Sequence, residues 1–364
     1  MRAHVQNHPV CLASDGRHNA FTDLCQWRGT WYCAYRVAQT HGITPPGTLA
    51  VQGCHPHDPA DWQQVGRLAL DGADLRDPKF VPSDEALYLF CGAYLPHPAH
   101  RTFQGLSAYP GDNLIQTMLT YTADGQAWAP LTPILRSQYW GWSVVVTENA
   151  YWLAAYHTGR ATESASIVLW NGRSLFDLSP YATIYDGADN TMDGGTHRYA
   201  SWSPSEPVLY VPAPETLACC LRTTGVMALG VSRAPYQDWR WHVRQDTLHP
   251  SAVLATQHGR LLAARELRGM ETSRRAQTAR PRRTLPPAAP EITTALFQLQ
   301  GQRVTRLLTL ESAGDTGYAG LAHGPDPDTV LVSYYSSHEY IRQGCFGVTL
   351  PSSNVYVATV RLAS

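Results

Sequence analysis

The sequence predicts an all-β chain folded as a six-bladed β-propeller, and three observations carry that expectation. Short β-branched and aromatic runs alternate with Gly, Pro and Asp turns, in a chain of 364 residues with 28 Gly, 26 Pro, 11 Trp and 19 Tyr. Helical periodicity over three turns is not seen anywhere. A compound pattern recurs along the whole chain: a polar cluster opens a short apolar strand, and after a turn an aromatic-rich strand ends in a polar residue.

The first copy opens at Arg17-His18-Asn19, runs AFTDLCQW, turns at Arg28-Gly29 and continues TWYCAYR to Arg36. The second opens at Arg76-Asp77-Pro78, turns at Ser83-Asp84-Glu85 and continues ALYLFCGAY to Tyr94. The third opens at Trp140-Gly141-Trp142, turns at Glu148-Asn149 and ends its second strand at His157. The fourth opens at Pro204-Ser205-Glu206 and ends at Arg222; the fifth opens at His249-Pro250-Ser251, turns at His258-Gly259 and ends at Arg265. The sixth opens at Asp315-Thr316-Gly317-Tyr318 and runs through TVLVSYYSSHE, past His338. Opening residues at 17, 77, 142, 206, 250 and 318 are separated by 60, 65, 64, 44 and 68. Six units of about 60 residues fill the chain, longer than the usual propeller repeat. A five-bladed ring with one aberrant segment is the rival arrangement.

Between copies lie outer hairpins. Three end in tryptophan, at Trp62, Trp128 and Trp239, while Trp170-Asn171-Gly172 and Gln300-Gly301-Gln302 supply turns of the two-residue hairpin kind. The last strand, from Asn354 to Arg361, is expected to pair with the N-terminal segment and close the ring, which removes exposed sheet edges. Residues 1–364 therefore read as one propeller domain. An Arg- and Pro-rich stretch at 268–290 reads as a flexible insertion in the fifth blade, or as a basic arm for a polyanionic glycan.

Composition narrows the function. A net charge of -1 gives no global attraction to nucleic acid or anionic membranes. No apolar run reaches the roughly 20 residues that span a bilayer, and Met1 to Val10 lacks the apolar stretch of an export signal. The reading is a soluble, cytoplasmic protein, with secretion open if a signal has been trimmed. None of the 8 cysteines forms a C-x-x-C pair, and several sit inside apolar strands, so they read as buried free thiols. No oxygen-ligand loop of calcium-binding spacing is present, and no cofactor or metal is expected.

In a propeller the starts of the inner strands converge at one end of the axis. Arg17, His18, Asn19, Arg76, Asp77, Trp142, Glu206, Ser251, Asp315 and Tyr318 should meet there, with Arg36, Tyr94, His157, Arg222, Arg265 and His338 from the second-strand ends. Pooled arginines suit an anion, because guanidinium presents a planar fork to a carboxylate.

On these residues the chain resembles the sialidase superfamily. Arg17, entering the first inner strand, stands where that family places its first arginine. SEPVLYVPAPETLACCLR, with Glu206 sixteen residues before Arg222, resembles its Glu-Pro strand leading to the second arginine, and GDTGYAGL with Tyr318 resembles its nucleophile strand. The tryptophan turns resemble degenerate Asp-boxes. The resemblance implies an exo-acting glycosidase that releases a terminal sialic acid or related nonulosonic acid, with a tyrosine nucleophile and retention. It implies Tyr318 as nucleophile, Glu206 as its partner, and Arg17, Arg222 and Arg265 on the sugar carboxylate, with acidic glycans as the binding partners. His18, Asn19, Asp23, Arg76, Trp142, Asp315 and His338 would line the substrate pocket. The sequence departs from the family twice. The loop where the family has its acid/base aspartate reads VAQTHGITPPG, so His41 or Asp77 would take that role, with Asp23 as a further alternative. The third arginine is Arg265 or, by its spacing to Tyr318, Arg283.

Two other readings use the same residues. A five-bladed furanosidase-type glycosidase would employ Asp23, Asp77 and Glu206. A catalytically silent glycan-binding propeller would keep the arginines and explain the missing aspartate.

Overall fold

A computed structural model describes residues 1–55, 59–96, 113–147, 150–157, 165–186, 204–223, 226–244, 246–268, 291–342 and 352–363. Six antiparallel sheets follow one another in chain order. Blade 1 is built from His18–Trp27, Thr30–Ala38, Thr48–Cys54 and Trp62–Leu68. Blade 2 uses Asp74–Pro82, Leu87–Leu95, Leu114–Thr122 and Thr132–Pro133; blade 3 uses Tyr139–Thr147, Ala150–His157, Ser166–Gly172 and Ser179–Asp186. Blade 4 runs Ser205–Ala213, Thr216–Thr223, Val226–Arg233 and Arg240–Val243, and blade 5 runs Leu248–Thr256, Gly259–Arg268, Glu291–Gln300 and Arg303–Thr309. In blade 6, Thr316–His323 pairs with Thr329–Ser336, which pairs with Asn354–Ala363, whose other edge takes Arg2–Val5 and Val10–Ala13. Arg2 opposite Ala363 and Val5 opposite Val360 fix the register of this closure. The ring is therefore sealed by joining the chain's two ends, as the sequence predicts, and it has six blades, which removes the five-bladed alternative.

Burial follows from the architecture. A second strand lies inside its blade and between two neighbouring blades, so both of its faces must be apolar. WYCAY of blade 1 is buried throughout, and so is every residue of Thr329–Ser336. The cores sit between blades: Phe21, Leu24 and Trp31 pack on Tyr335 and Val355 across the blade 6–blade 1 seam. Leu49 and Tyr32 pack on Leu75, Leu87 and Leu89 across the next seam. Outer strands such as Trp62–Leu68 are largely half-buried or exposed. In the hairpin that ends at Trp128, the Asp124 carboxylate accepts the main-chain N–H groups of Gln126 and Ala127, each at 2.8 Å. Trp128 itself packs against the seam between blades 1 and 2. Cys25, Cys33, Cys54, Cys91, Cys219 and Cys220 are buried and outside any disulfide, whereas Cys11 is exposed. Residues 269–290, Arg283, Cys345 and the Glu148-Asn149 turn lie outside the described residues. Among the described residues no helix is long and apolar enough to cross a membrane.

Each inner strand carries a β-bulge near its start, between Ala20 and Asp23, Arg76 and Lys79, Gly141 and Ser143, Ser205 and Val208, Pro250 and Ala252, and Gly317 and Gly320. In four blades the first bulged residue is a non-glycine with positive φ: Phe21 at 59°, Asp77 at 54°, Glu206 at 56° and Tyr318 at 44°. A bulge breaks the two-residue alternation and re-aims a side chain. The left-handed backbone is unfavourable by about 1–2 kcal/mol for such residues. Four copies at one place in the repeat mark a built feature, which turns these side chains toward the axis.

Candidate active site

Tyr318 stands at the centre of the residues these bulges bring together. Its phenolic O–H donates to Oε1 of Glu206 at 2.7 Å and its oxygen accepts from Nη1 of Arg222 at 3.2 Å. Arg222 also donates to the same Glu206 oxygen, so acid, guanidinium and phenol form a closed triangle. The Arg265 guanidinium lies over the Tyr318 ring, 5.1 Å from its centroid. Nε of Arg265 is fixed by the carbonyl of Thr316 at 2.6 Å. Gly317 allows that approach, since a Cβ there would stand 2.8 Å from Arg265 Nε. Phe21 and Trp142 flank the phenol, with centroids 5.2 and 5.6 Å away.

The electrostatics separate the two carboxyls nearest the phenol. Burial would raise the Glu206 pKa, but the Arg222 charge and its hydrogen bond outweigh it and hold the group below its ordinary value. Glu206 is thus an ionised acceptor. Burial first, then Glu206, pushes the Tyr318 phenol well above 10, so its proton leaves only with help. Asp77 goes the other way: burial raises it to about 6, against Arg76 and with added repulsion from Glu206. His249 is lowered to about 3 by burial and then by the charges of Arg222 and Arg265, and is neutral.

A second cluster lies across Phe21, whose ring is 5.4 Å from that of His41. One oxygen of Asp315, Oδ2, accepts from Nε2 of His18 at 2.8 Å and from Nδ1 of His41 at 2.6 Å. Its other oxygen accepts from Tyr335 O–H at 2.8 Å, and Tyr335 in turn accepts from Nη2 of Arg265 at 3.4 Å. Burial would raise Asp315, but its histidine hydrogen bonds hold it well below the usual carboxylate range. Burial lowers His18 to about 4 and keeps it neutral. Arg36 Nη1, which can only donate, faces Nδ1 of His18 at 3.4 Å, so the His18 proton sits on Nε2. His41 donates its Nδ1–H to Asp315 as a hydrogen bond and leaves Nε2 for proton transfer, on a side chain 40% exposed.

His18, His41 and Asp315 are also the described residues whose ligand atoms lie close enough to hold a metal ion. The fit is poor. A metal on His18 Nε2 would put the ring's remaining proton on Nδ1, facing the guanidinium of Arg36.

Of the residues singled out in the sequence, Tyr318, Glu206, Arg222, Arg265, Trp142, Asp77, Arg76, His18, His41 and Asp315 come together. Others do not join them: Ser251 lines the axial cavity together with Asp23, and the His157 ring packs 5.1 Å from that of Tyr139. Arg17 is half exposed and pairs with Asp15 at 3.5 Å, because the first inner strand aims its side chains inward only from His18 onward. Asn19 is buried and donates to Asp15 at 2.7 Å, bracing the same turn. Asp23 follows the bulge and lines a cavity of about 370 Å³ on the axis beyond Trp142, where it meets Lys79 at 3.9 Å and accepts from Phe80 N–H. His338 falls past the end of its strand, and its ring packs 5.3 Å from Tyr356. Sequence reading missed Phe21, Tyr335, His249 and Asp74. A signal for two of them was present: Glu206 precedes Arg222 by sixteen residues, and nearly the same step leads from Phe21 to Arg36 and from Tyr318 to Tyr335.

No protein-family model and no curated protein matches the chain. Solved structures do. Trypanosoma rangeli sialidase in complex with sialic acid aligns over 99% of this chain and 58% of its own, with TM-score 0.59 and 11% identity. Phage phi92 endosialidase aligns over 99% and 70%, with TM-score 0.58 and 8% identity. NanB with Optactamide aligns over 97% and 70%, with TM-score 0.62 and 7% identity. The chain spans 58% of the length of the Trypanosoma rangeli sialidase structures it matches. At these identities the likeness is one of fold: the chain has the six-bladed propeller fold of the sialidases.

Proposed function

We propose that the chain is an exo-acting glycoside hydrolase that releases a terminal sialic acid or related nonulosonic acid from acidic glycans, with retention and with Tyr318 as nucleophile. The observation that carries this reading is the Glu206–Tyr318–Arg222 triangle. A neutral phenol can approach a sugar that bears its own carboxylate, where a carboxylate nucleophile would be repelled by several kcal/mol at low effective dielectric. Glu206 takes the phenolic proton as Tyr318 attacks the anomeric carbon, and Arg222 steadies the developing phenolate. Arg222 and Arg265 hold the sugar carboxylate through the donor edges their protein partners leave open. Arg17 takes no part.

His41, oriented by its Nδ1–H on Asp315, acts as a general acid in its imidazolium form: it gives the Nε2 proton to the departing glycosidic oxygen, which leaves the Nδ1-protonated neutral ring, and Nε2 of that ring later takes a proton from the water that frees the sugar from Tyr318. Asp77, beside Glu206, keeps its proton up to a pH of about 6 and in that form donates to the sugar. A 4-methylumbelliferyl glycoside of N-acetylneuraminic acid tests the reading, run beside Tyr318→Phe. Release of fluorophore by the parent and its loss in the variant supports it. The second reading, a glycan-binding propeller without turnover, is favoured by one feature: residues 37–47 contain no carboxylic acid. Carboxylate-sugar binding without release by either protein would select it.

A further inference from the structure

Residues 39–47, the loop that bears His41, connect two strands of blade 1 without regular structure of their own. Three buried charges grip it. Arg36 donates to the carbonyl of Thr40 at 2.9 Å and to that of Gly42 at 2.6 Å. Arg76 donates to the carbonyls of His41 at 3.3 Å and Gly42 at 3.0 Å. Both guanidiniums converge on one carboxylate, fully buried Asp74: Arg36 Nη2 reaches Oδ1 and Arg76 Nε reaches Oδ2, each at 2.6 Å. Oδ1 also accepts the N–H of Gly47 at 2.6 Å, so the carboxylate holds the far end of the loop as well. Gly47 is required there, because a Cβ would stand 2.6 Å from Arg36 Nε and 3.0 Å from Oδ1.

We infer that Asp74 is a positioning residue of the active site, which through Arg36 and Arg76 fixes the backbone of residues 40–42 and so seats the His41 ring on Asp315. The inference rests on the reading of His41 as acid/base. Without Asp74, two buried guanidiniums would face one another uncompensated. Burial and the neighbouring Arg76 already lower Arg36 to about 10. They would separate, and the three carbonyls they hold would lose their donors. Asp77 is the residue after Arg76 on the same strand, so the clamp also bears on the second proton-carrying group. His41 faces Asp315, His18 and Phe21 directly, which are the groups its ring would lose or keep.

The test compares Asp74→Asn with the parent. Long-range 1H–15N spectra of the imidazoles, assigned for His41 with His41→Gln, report whether His41 holds one tautomer with its proton on Nδ1. Steady-state kinetics report kcat and KM separately. The expected result is a His41 signal averaged over both tautomers, a kcat lower on the order of 10²-fold, and a KM within about threefold of the parent, because Arg222 and Arg265 are untouched. If Asp74→Asn does not fold, Arg76→Met keeps the Arg36–Asp74 pair balanced and removes two of the carbonyl grips; the same changes, smaller, are expected. A folded variant with His41 in its parental tautomer and an unchanged kcat overturns the inference. So does a rise in KM that matches the fall in kcat while the His41 signal stays parental. The spectra need no turnover, so Asp74 is tested even if the parent hydrolyses no nonulosonic glycoside and the functional reading fails.

Discussion

The phenolic oxygen of Tyr318 lies 2.7 Å from Oε1 of Glu206, across 112 residues of chain, and both residues occupy the left-handed first position of a β-bulge. The same backbone device at two blades aims an acceptor and a donor at each other. Tyr318→Phe should lower turnover by at least about 10³-fold, as removal of a nucleophile does elsewhere. Glu206→Gln keeps a hydrogen-bond acceptor and removes the charge that draws the proton away, and a loss of about 10²–10⁴-fold is expected. Trapping with a fluorinated nonulosonic glycoside, followed by peptide mass spectrometry, should place the covalent sugar on Tyr318. Label on any other residue removes the assignment.

Arg222 donates to the phenolic oxygen and Arg265 lies over the phenol ring, and each is anchored by protein partners on part of its guanidinium. Lysine supplies the charge without the planar fork. Arg265→Lys should raise KM by about 10–100-fold, the equivalent of one hydrogen bond to a charged partner. Its effect on kcat should be the smaller one. Arg222→Lys should lower both constants' ratio further, since Arg222 also contacts Glu206 and the nucleophile. Competition by free N-acetylneuraminic acid, followed by titration calorimetry, measures the binding part alone. Equal affinity in Arg265→Lys and parent would show that Arg265 does not hold the carboxylate.

Much of this was legible in the sequence because the repeat is periodic in space as well as in chain position. Six phased copies predict which residues meet at the axis, and Glu206, Arg222 and Tyr318 follow from that alone. The first blade was misread by four residues: Arg17 is polar and opens the strand, so it resembled the other openings, whereas the residue in phase is the apolar Phe21. Polarity was the wrong guide there, because the bulge can aim an aromatic ring at the axis as readily as a charge. Asp74 was invisible for a different reason. Its importance comes from two arginines 38 residues before it and two after it, and no local pattern records that convergence. His338 stood at the end of SYYSSHE, but the strand stops at Ser336 and the inward position belongs to Tyr335.

Tyr335 joins the arginine side of the site to the histidine side. Its O–H donates to Asp315 Oδ1, and its oxygen accepts from Arg265. Tyr335→Phe leaves Asp315 with its two histidines on one oxygen and a buried lone pair on the other, which should be unfavourable by about 1–3 kcal/mol. Because both ends of the link are affected, kcat should fall and KM should rise together, by a few-fold to about tenfold each. Thermal unfolding beside steady-state kinetics checks both effects. A variant with parental kinetics and lowered stability would make Tyr335 a packing residue only.

Asp77 gives the sharpest pH prediction. Its folded pKa, about 6, lies above the ordinary 3.8 because burial disfavours the carboxylate. At a pH below the ordinary value both folded and unfolded chains hold the proton, and no penalty exists. As pH rises from about 4 to 6 the unfolded chain loses the proton first, so folding is progressively disfavoured, and above 6 the penalty is constant. A shift of this size corresponds to at most about 3 kcal/mol, less whatever Arg76 returns by relaxing toward the ionised form. Asp77→Asn cannot ionise and tolerates the left-handed backbone of this position, where φ is 54°. It should therefore be more stable than the parent at pH 7, and the difference between the two should shrink as pH falls from 6 to 4. Chemical denaturation of both proteins across that range measures it. A difference independent of pH would mean that Asp77 is ionised throughout, and the proton donor to the sugar would have to be sought elsewhere.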